Sequence, residues 1–127
     1  MTSPYQYTYH VQKEDIDDLK HVNNLKYLEW ALKAAETHWN IISDESIREK
    51  FAWVVSRHEI DYLRPAFLGD EIQIRTWIES MQKASSIRIV EIYKKEKLIA
   101  KAKTTWVLID AKTQKVCRIP SDFKEFL

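Results

Sequence analysis

Glycine is nearly absent from this chain. There is one, Gly69, in 127 residues, where about nine would be ordinary. That scarcity rules out a P-loop phosphate cradle and a G-x-G-x-x-G dinucleotide fingerprint. The G-x-S-x-G elbow of serine hydrolases is equally out of reach. Cysteine is just as scarce. Cys117 stands alone, which excludes an internal disulfide, a C-x-x-C redox pair and a cysteine-based zinc site. A surplus of one charge is missing too: twenty Lys and Arg face nineteen Asp and Glu, a net charge of +1. Nothing marks the surface as a whole for nucleic acid or an anionic membrane. No apolar run approaches the roughly 18 residues that span a bilayer. Residues 1–20 carry no apolar signal-peptide core, so the expectation is a soluble, cytoplasmic protein with neither nucleic acid nor membrane as partner.

The rest is ordinary for a folded domain. Hydrophobic residues make up 45% of the chain, enough for a sizeable core at this length without disulfides or metals. There is no linker, repeat or low-complexity stretch, and Pro4, Pro65 and Pro120 fall near an end or at apparent element boundaries. One domain over residues 1–127 is expected.

Tyr5, Tyr7, Tyr9 and Val11 alternate with polar residues, the period of a half-buried strand. A charged loop follows from Asp15 to Lys20. Leu25, Leu28, Ala31, Leu32, Ala35 and Trp39 then recur at helical spacing, with Lys26, Glu29, Lys33 and Glu36 on the other face. This predicts a long helix over about 23–41, capped by Asn23 or Asn24, and Ser43–Phe51 reads as a short helix capped by Ser43 or Asp44. Strands are expected over 52–64, 72–78, 87–93 and 98–110, with turns at 68–70, 94–97 and 110–114 and a short helical turn over 120–126. In the stretch 87–93 the apolar periodicity is carried by Ile87, Ile89 and Tyr93. Consecutive strands joined by short turns pair antiparallel. The pattern implies an α+β fold, a curved antiparallel sheet of five to six strands wrapped around one long helix. Its unprotected edges favour a homodimer.

Chemistry concentrates at the start of the long helix, where Glu14, Asp15, Asp17, Asp18, His21, Asn23 and Asn24 crowd together. A helix N-terminus offers free N–H groups and a partial positive charge. A thioester carbonyl placed there would be polarised, and a carboxylate beside it could activate water or attack directly. The same residues also serve a plain structural purpose, because acids before a helix complement its dipole and Asn-Asn caps it.

The spacing Asp15-x-Asp17-x-x-x-His21-Val22-Asn23-Asn24-x-x-Tyr27 resembles the signature of hot-dog-fold acyl thioesterases. The likeness is to the 4-hydroxybenzoyl-CoA thioesterase-like acyl-CoA thioesterases and the plant-type acyl-carrier-protein thioesterases. Arg57-x-Glu59-Ile60-x-Tyr62-Leu63-x-Pro65-Ala66-x-x-Gly69-Asp70 and Trp106-Val107-Leu108-Ile109-Asp110 continue it in the same order. The resemblance implies the hot-dog fold and dimers whose sheets join edge to edge, as a dimer or a dimer of dimers with active sites at the subunit interface. It implies an acyl-CoA or acyl-carrier-protein thioester as substrate and no cofactor. It assigns catalysis to Asp17, as general base or nucleophile, with His21 and Asn24 beside it. Val22, Asn23 and Tyr27 belong to the substrate-binding motif. Arg57 and Arg88 are candidates for the coenzyme A phosphates, as are Arg64 and the basic run at Lys94–Lys97. Two departures from the family pattern stand out: Leu19 where plant-type members carry asparagine, and Lys20 where many bacterial members carry glycine.

His10, His38 and His58 are scattered over three elements without metal-ligand spacing, so no metal site is expected. A hot-dog hydratase would carry D-x-N-P-x-H, which this chain lacks. A non-catalytic acyl-thioester-binding module of the same fold is the remaining alternative to hydrolysis.

Overall fold

The computed structural model describes residues 3–127. Strand β1 (Tyr5–His10) leads through a single 3-10 turn at Lys13–Asp15 to helix α1 (Asn24–Ile42). A short helix α2 (Glu45–Lys50) follows, then β2 (Phe51–Tyr62), β3 (Glu71–Gln82), β4 (Ser85–Lys94) and β5 (Lys97–Asp110). The chain closes with a 3-10 segment at Ser121–Phe126. Asn23 caps α1, its side chain accepting from Leu25 N, and Asp44 caps α2 through Ile47 N. Ser43 instead ends α1, its N–H returning to the Trp39 carbonyl.

All five strands form one antiparallel sheet in the order β1-β3-β4-β5-β2. The expected succession of neighbouring strands fails at one place, because β2 pairs with β5 and not with β3. The reason lies in the connection. Residues 63–70 do not turn tightly but cross the start of α1, where the Ala66 carbonyl accepts from Val22 N (2.9 Å) and Ala66 N donates to Tyr27 Oη (3.2 Å). That path leaves the outer edge of β3 to β1. Register shifts at Val55/Arg57 and Ile78/Ser80 mark bulges, and bulges bend and twist a sheet. The curved sheet closes over α1.

Helix α1 buries Tyr27, Trp30, Ala31, Ala34, Ala35 and His38. The alanines let the helix axis approach the sheet closely. Leu25, expected on this face, is 67% exposed because the stripe begins at Tyr27. On the sheet, the residues of β4 that alternate toward the helix are Ser86, Arg88, Val90 and Ile92, the opposite parity to the expected Ile87, Ile89 and Tyr93. Ile89 is nevertheless buried, paired with Trp77 on the outer face, so both parities of this central strand look apolar in sequence.

The interior is divided. One apolar cluster joins Tyr27, Trp30 and Ala34 to Ile72, Ile74, Val90 and Ile92. A second joins Trp39, Phe51 and Trp53 to Leu108, Phe123 and Phe126 at the far end of α1. Buried polar residues of the helix and the central strands, His38, Thr76, Ser86, Arg88 and Thr104, belong to neither cluster.

Candidate active site

The loop before α1 is a small hairpin of its own. Ile16 and Val22 form an antiparallel bridge, Asp17 N donates to the His21 carbonyl (2.8 Å) and Lys20 N to the Asp17 carbonyl (3.0 Å). Lys20 is left-handed at φ 64°, the conformation that completes a three-residue hairpin turn and favours glycine. This is the position at which the chain departs from the glycine of bacterial relatives. Lysine bears the backbone cost of the left-handed turn.

Within that turn the Asp17 carboxylate is held by backbone. Its Oδ1 accepts from Leu19 N (2.9 Å) and His21 N (3.3 Å), an Asx-type arrangement that leaves Oδ2 free to act. Asp17 and His21 are thus brought together through main chain, while the His21 ring packs edge-on against Phe67 at 5.3 Å. Asp15, the other aspartate of the motif, is buried. It accepts from Gln12 N (2.8 Å) and Tyr9 Oη (2.7 Å), and its carbonyl receives Asn23 N (2.8 Å). Burial and this bond to Asp15 push the Tyr9 phenol up to about 12. Asp15 fastens the loop to β1 and to the helix cap, and Asp17 is left as the half-buried, less constrained partner.

At the helix start, Leu25 N is taken by the Asn23 side chain (2.9 Å) and Lys26 N by the Asn23 carbonyl (2.9 Å). Among the described residues the Asn24 N–H is a first-turn amide left without an acceptor, and it carries the helix dipole's partial positive charge. Tyr27 is 4% exposed, anchored to Ala66 N and edge-on to Trp30 and Tyr62. Val22 is likewise buried and bonds through its backbone. No hydrogen bond links Asp17 to Asn24 within the described residues.

A cavity of about 540 Å³ opens between the C-terminal half of α1 and the sheet, walled by Leu32, Trp39, Phe51, Trp53 and Ile78, with Arg88 and Trp106 on the sheet side. Arg88 is 5% exposed. Its Nη1 donates to His38 Nδ1 (2.9 Å) and Thr76 Oγ1 (3.1 Å). An arginine can only donate, so His38 Nδ1 is the acceptor and its proton sits on Nε2, which donates to the Ser3 carbonyl (3.2 Å). Burial first, and the Arg88 charge second, hold His38 below the usual histidine range. Burial alone lowers Arg88 to about 10. Two strands away, on β2, His58 Nδ1 meets Thr104 Oγ1 of β5 at 2.9 Å, and burial lowers that histidine too. Among the described residues, Arg88 has no carboxylate within ion-pair distance.

The other candidates are placed apart. Arg57 lies exposed on β2, paired with Glu59 at 2.8 Å. Arg64 donates to the Leu98 carbonyl (3.0 Å). Lys94 pairs with Asp70 at 2.8 Å and lies 5.3 Å from the Phe67 ring centroid. Among the described residues no group of three His, Cys, Asp or Glu side chains gathers as metal ligands would, and no helix is long and apolar enough to cross a membrane. The contact of His38 with Arg88, fifty positions apart, was not legible from the sequence. Its one signal was an arginine at the same parity as Val90 and Ile92.

Comparison with known proteins agrees with this architecture. Residues 11–127 match the thioesterase-like superfamily. The chain is 29% identical over 119 residues to the long-chain acyl-CoA thioesterase FadM of Escherichia coli, covering 88% of each. It is 34% identical over 73 residues to a 1,4-dihydroxy-2-naphthoyl-CoA hydrolase of Microcystis aeruginosa, covering 58% of this chain and 53% of that protein. The crystal structure of YbaW, a probable thioesterase from Escherichia coli, superposes at a TM-score of 0.84 with 30% identity, covering 94% of this chain and 93% of that one. A Thermus thermophilus thioesterase crystallised with coenzyme A and zinc superposes at 0.83 with 27% identity, covering 95% and 94%. With its five-stranded sheet closed over one long helix, the chain belongs to the thioesterase-like superfamily and is a thioesterase of the hot-dog fold.

Proposed function

We propose that this thioesterase hydrolyses acyl-CoA thioesters with Asp17 as the catalytic carboxylate. The observation that carries the reading is the Asp17 side chain, gripped at Oδ1 by two backbone N–H groups with Oδ2 left open, just before a helix whose Asn24 N–H is unclaimed. Asp17 Oδ2 takes a proton from water as the water oxygen attacks the thioester carbon. The carbonyl electrons move onto oxygen, which the Asn24 N–H and the helix dipole stabilise. Collapse expels the coenzyme A thiolate, which recovers the proton from Asp17. Direct attack by Asp17 through a mixed anhydride uses the same carboxylate, and label found in Asp17 after a single turnover in isotopically labelled water, from attack of water on the Asp17 carbonyl carbon, identifies that route. His21 and the Asn24 side chain orient water and carbonyl, Val22, Asn23 and Tyr27 shape the motif that receives the thioester, and Arg57 on the exposed strand meets the phosphates.

The site is completed by a second copy of the chain. Strand β2 is a sheet edge of 12 residues and exposes Val54, Val55 and Tyr62. An open apolar edge of this length invites pairing. Two-fold pairing of β2 with itself is antiparallel, so the start of one strand meets the end of the other. The start, at Phe51–Val55, lines the cavity. The end, at Tyr62, reaches the Asn24 carbonyl through its hydroxyl (3.4 Å). A thioester held at one helix start therefore directs its acyl group into the cavity of the partner subunit.

The test is thiol release from a panel of acyl-CoA and acyl-carrier-protein thioesters, with wild type and Asp17→Asn. Expected is turnover by the wild type, lost in the variant, with both proteins dimeric. Turnover unchanged by Asp17→Asn overturns the role of Asp17. Tight acyl-CoA binding with no thiol released assigns the chain to the non-catalytic alternative.

A further inference from the structure

The cavity under the C-terminal half of α1 holds hydrogen-bond donors that no described residue receives. A guanidinium carries five N–H groups. The two on Arg88 Nη1 go to His38 and Thr76, both neutral, which leaves the three on Nε and Nη2 without a partner. This is the side edge that grips a carboxylate through two parallel bonds. Trp106 Nε1 is the one fully buried side-chain nitrogen or oxygen among the described residues that lacks a partner. Trp106 stands opposite Ser86, and Arg88 opposite Thr104, so Trp106 and Arg88 are diagonal neighbours on the same sheet face. Both line the cavity.

Charge and donor count agree. A buried cation is costly to hold without a counter-charge. The other charged residues at the cavity do not supply one. Glu36 is exposed on the helix and makes no ion pair with Arg88, while Arg48 donates to the Asn40 and Ser43 carbonyls (3.3 and 2.6 Å). His38 is kept neutral by accepting from Arg88. An apolar cavity of about 540 Å³ falls in the range of small-molecule pockets, and Arg88 and Trp106 bring unpartnered donors to one sheet face of its wall.

We propose that the cavity selects acyl thioesters whose acyl group ends in a second carboxylate, held by the Nε–Nη2 edge of Arg88 and by the Trp106 indole N–H. The inference rests on the thioesterase reading above and names its substrate class. The aromatic wall takes the methylene chain, and the terminal carboxylate supplies the counter-charge and acceptors that the fold omits. His38 and Thr76 are positioning residues. They use up Nη1 and so aim the free edge into the cavity.

The experiment compares kcat/KM for pairs of straight-chain acyl-CoAs of equal length, one with a terminal methyl group and one with a terminal carboxylate. At the best chain length the wild type is expected to favour the carboxylate by about tenfold or more, the value of a charge-assisted hydrogen bond. Arg88→Met reverses the preference, and Trp106→Phe lowers the ratio about tenfold. A wild-type ratio at or below one at every length, or a ratio unmoved by either variant, overturns the proposal. Should Arg88→Met fail to fold, as circular dichroism would reveal, Trp106→Phe and direct binding decide. Binding is read from quenching of the cavity tryptophans by free α,ω-dicarboxylic acids against monocarboxylic acids of the same length. Dicarboxylate binding with no thiol released from any substrate defeats the thioesterase reading and keeps the pocket. Hydrolysis of methyl-ended substrates without dicarboxylate binding does the reverse.

Discussion

The two ends of helix α1 handle polar side chains in opposite ways. At the N-terminal end the side chains of Asp17 and Asn23 bind the backbone of their own neighbours, within four residues along the chain. Toward the C-terminal end His38, Thr76 and Arg88 come from a helix and two strands, bind one another, and are at most 5% exposed. The first arrangement is a local turn whose polar groups keep much of their water. The second exists only once the sheet has formed in register. A side chain held locally can be changed with little effect on folding, whereas each member of a buried network leaves its partners unsatisfied when removed.

The largest effect expected from this contrast is on activity alone. Asp17→Asn should lower kcat by about 10²–10⁴-fold, the usual worth of a positioned general base. The urea midpoint should scarcely move, because an amide oxygen still accepts from Leu19 and His21. Thr76→Val inverts that outcome. It preserves shape at a residue with no exposure but removes an acceptor from the buried Arg88, and should cost about 1–3 kcal/mol of stability by urea denaturation. If Asp17→Asn unfolded the protein while Thr76→Val left it untouched, the contrast would be wrong.

Acid sharpens the same point. His38 and His58 titrate below their ordinary value because of burial, so the unfolded chain binds more protons than the native state as pH falls through the mid-sixes. Stability therefore rises with pH in that window, and it is lost as pH falls from about 6.5 through the lower native values. Protonated His38 would also place a second cation against Arg88 and withdraw the acceptor at Nδ1. Denaturation at a series of pH values should show a shallower acid loss in His38→Gln than in wild type.

Legibility followed the same division. The Asp15–Tyr27 motif, a cap at Asn23 or Asn24 and the span of α1 lie in consecutive residues, so spacing reveals the helix and its start while the resemblance supplies the motif. The partner of β2 is not, because the path of residues 63–70 over α1 depends on contacts from Val22 and Tyr27 that no local pattern contains. On sequence alone Arg88 is a candidate for the coenzyme A phosphates, and Ile87 and Ile89 make the opposite parity of β4 look like the buried one. Its place inside follows from pairing with Ile78 on β3 and Thr104 on β5, which is information of the whole sheet.

The smallest expected effect returns to glycine. Six described residues have positive φ, and glycine occupies one of them, Gly69 at 83°. Lys20, Lys83, Lys95, Glu96 and Gln114 occupy the others, so the chain builds its left-handed turns from long polar side chains. For an L-residue that conformation costs about 1–2 kcal/mol, while glycine gives back about 0.4–1 kcal/mol through greater freedom of the unfolded chain. Lys20→Gly should therefore stabilise by between zero and about 1.6 kcal/mol net. Gly69→Ala supplies the control. A Cβ there would meet nothing within 4 Å, so any loss, up to about 1.6 kcal/mol on the same figures, reports φ alone. If urea denaturation shows Lys20→Gly destabilising while Gly69→Ala behaves as expected, the Lys20 side chain contributes to the Asp17 turn beyond its backbone, and the loop is less purely a main-chain construction than its hydrogen bonds indicate.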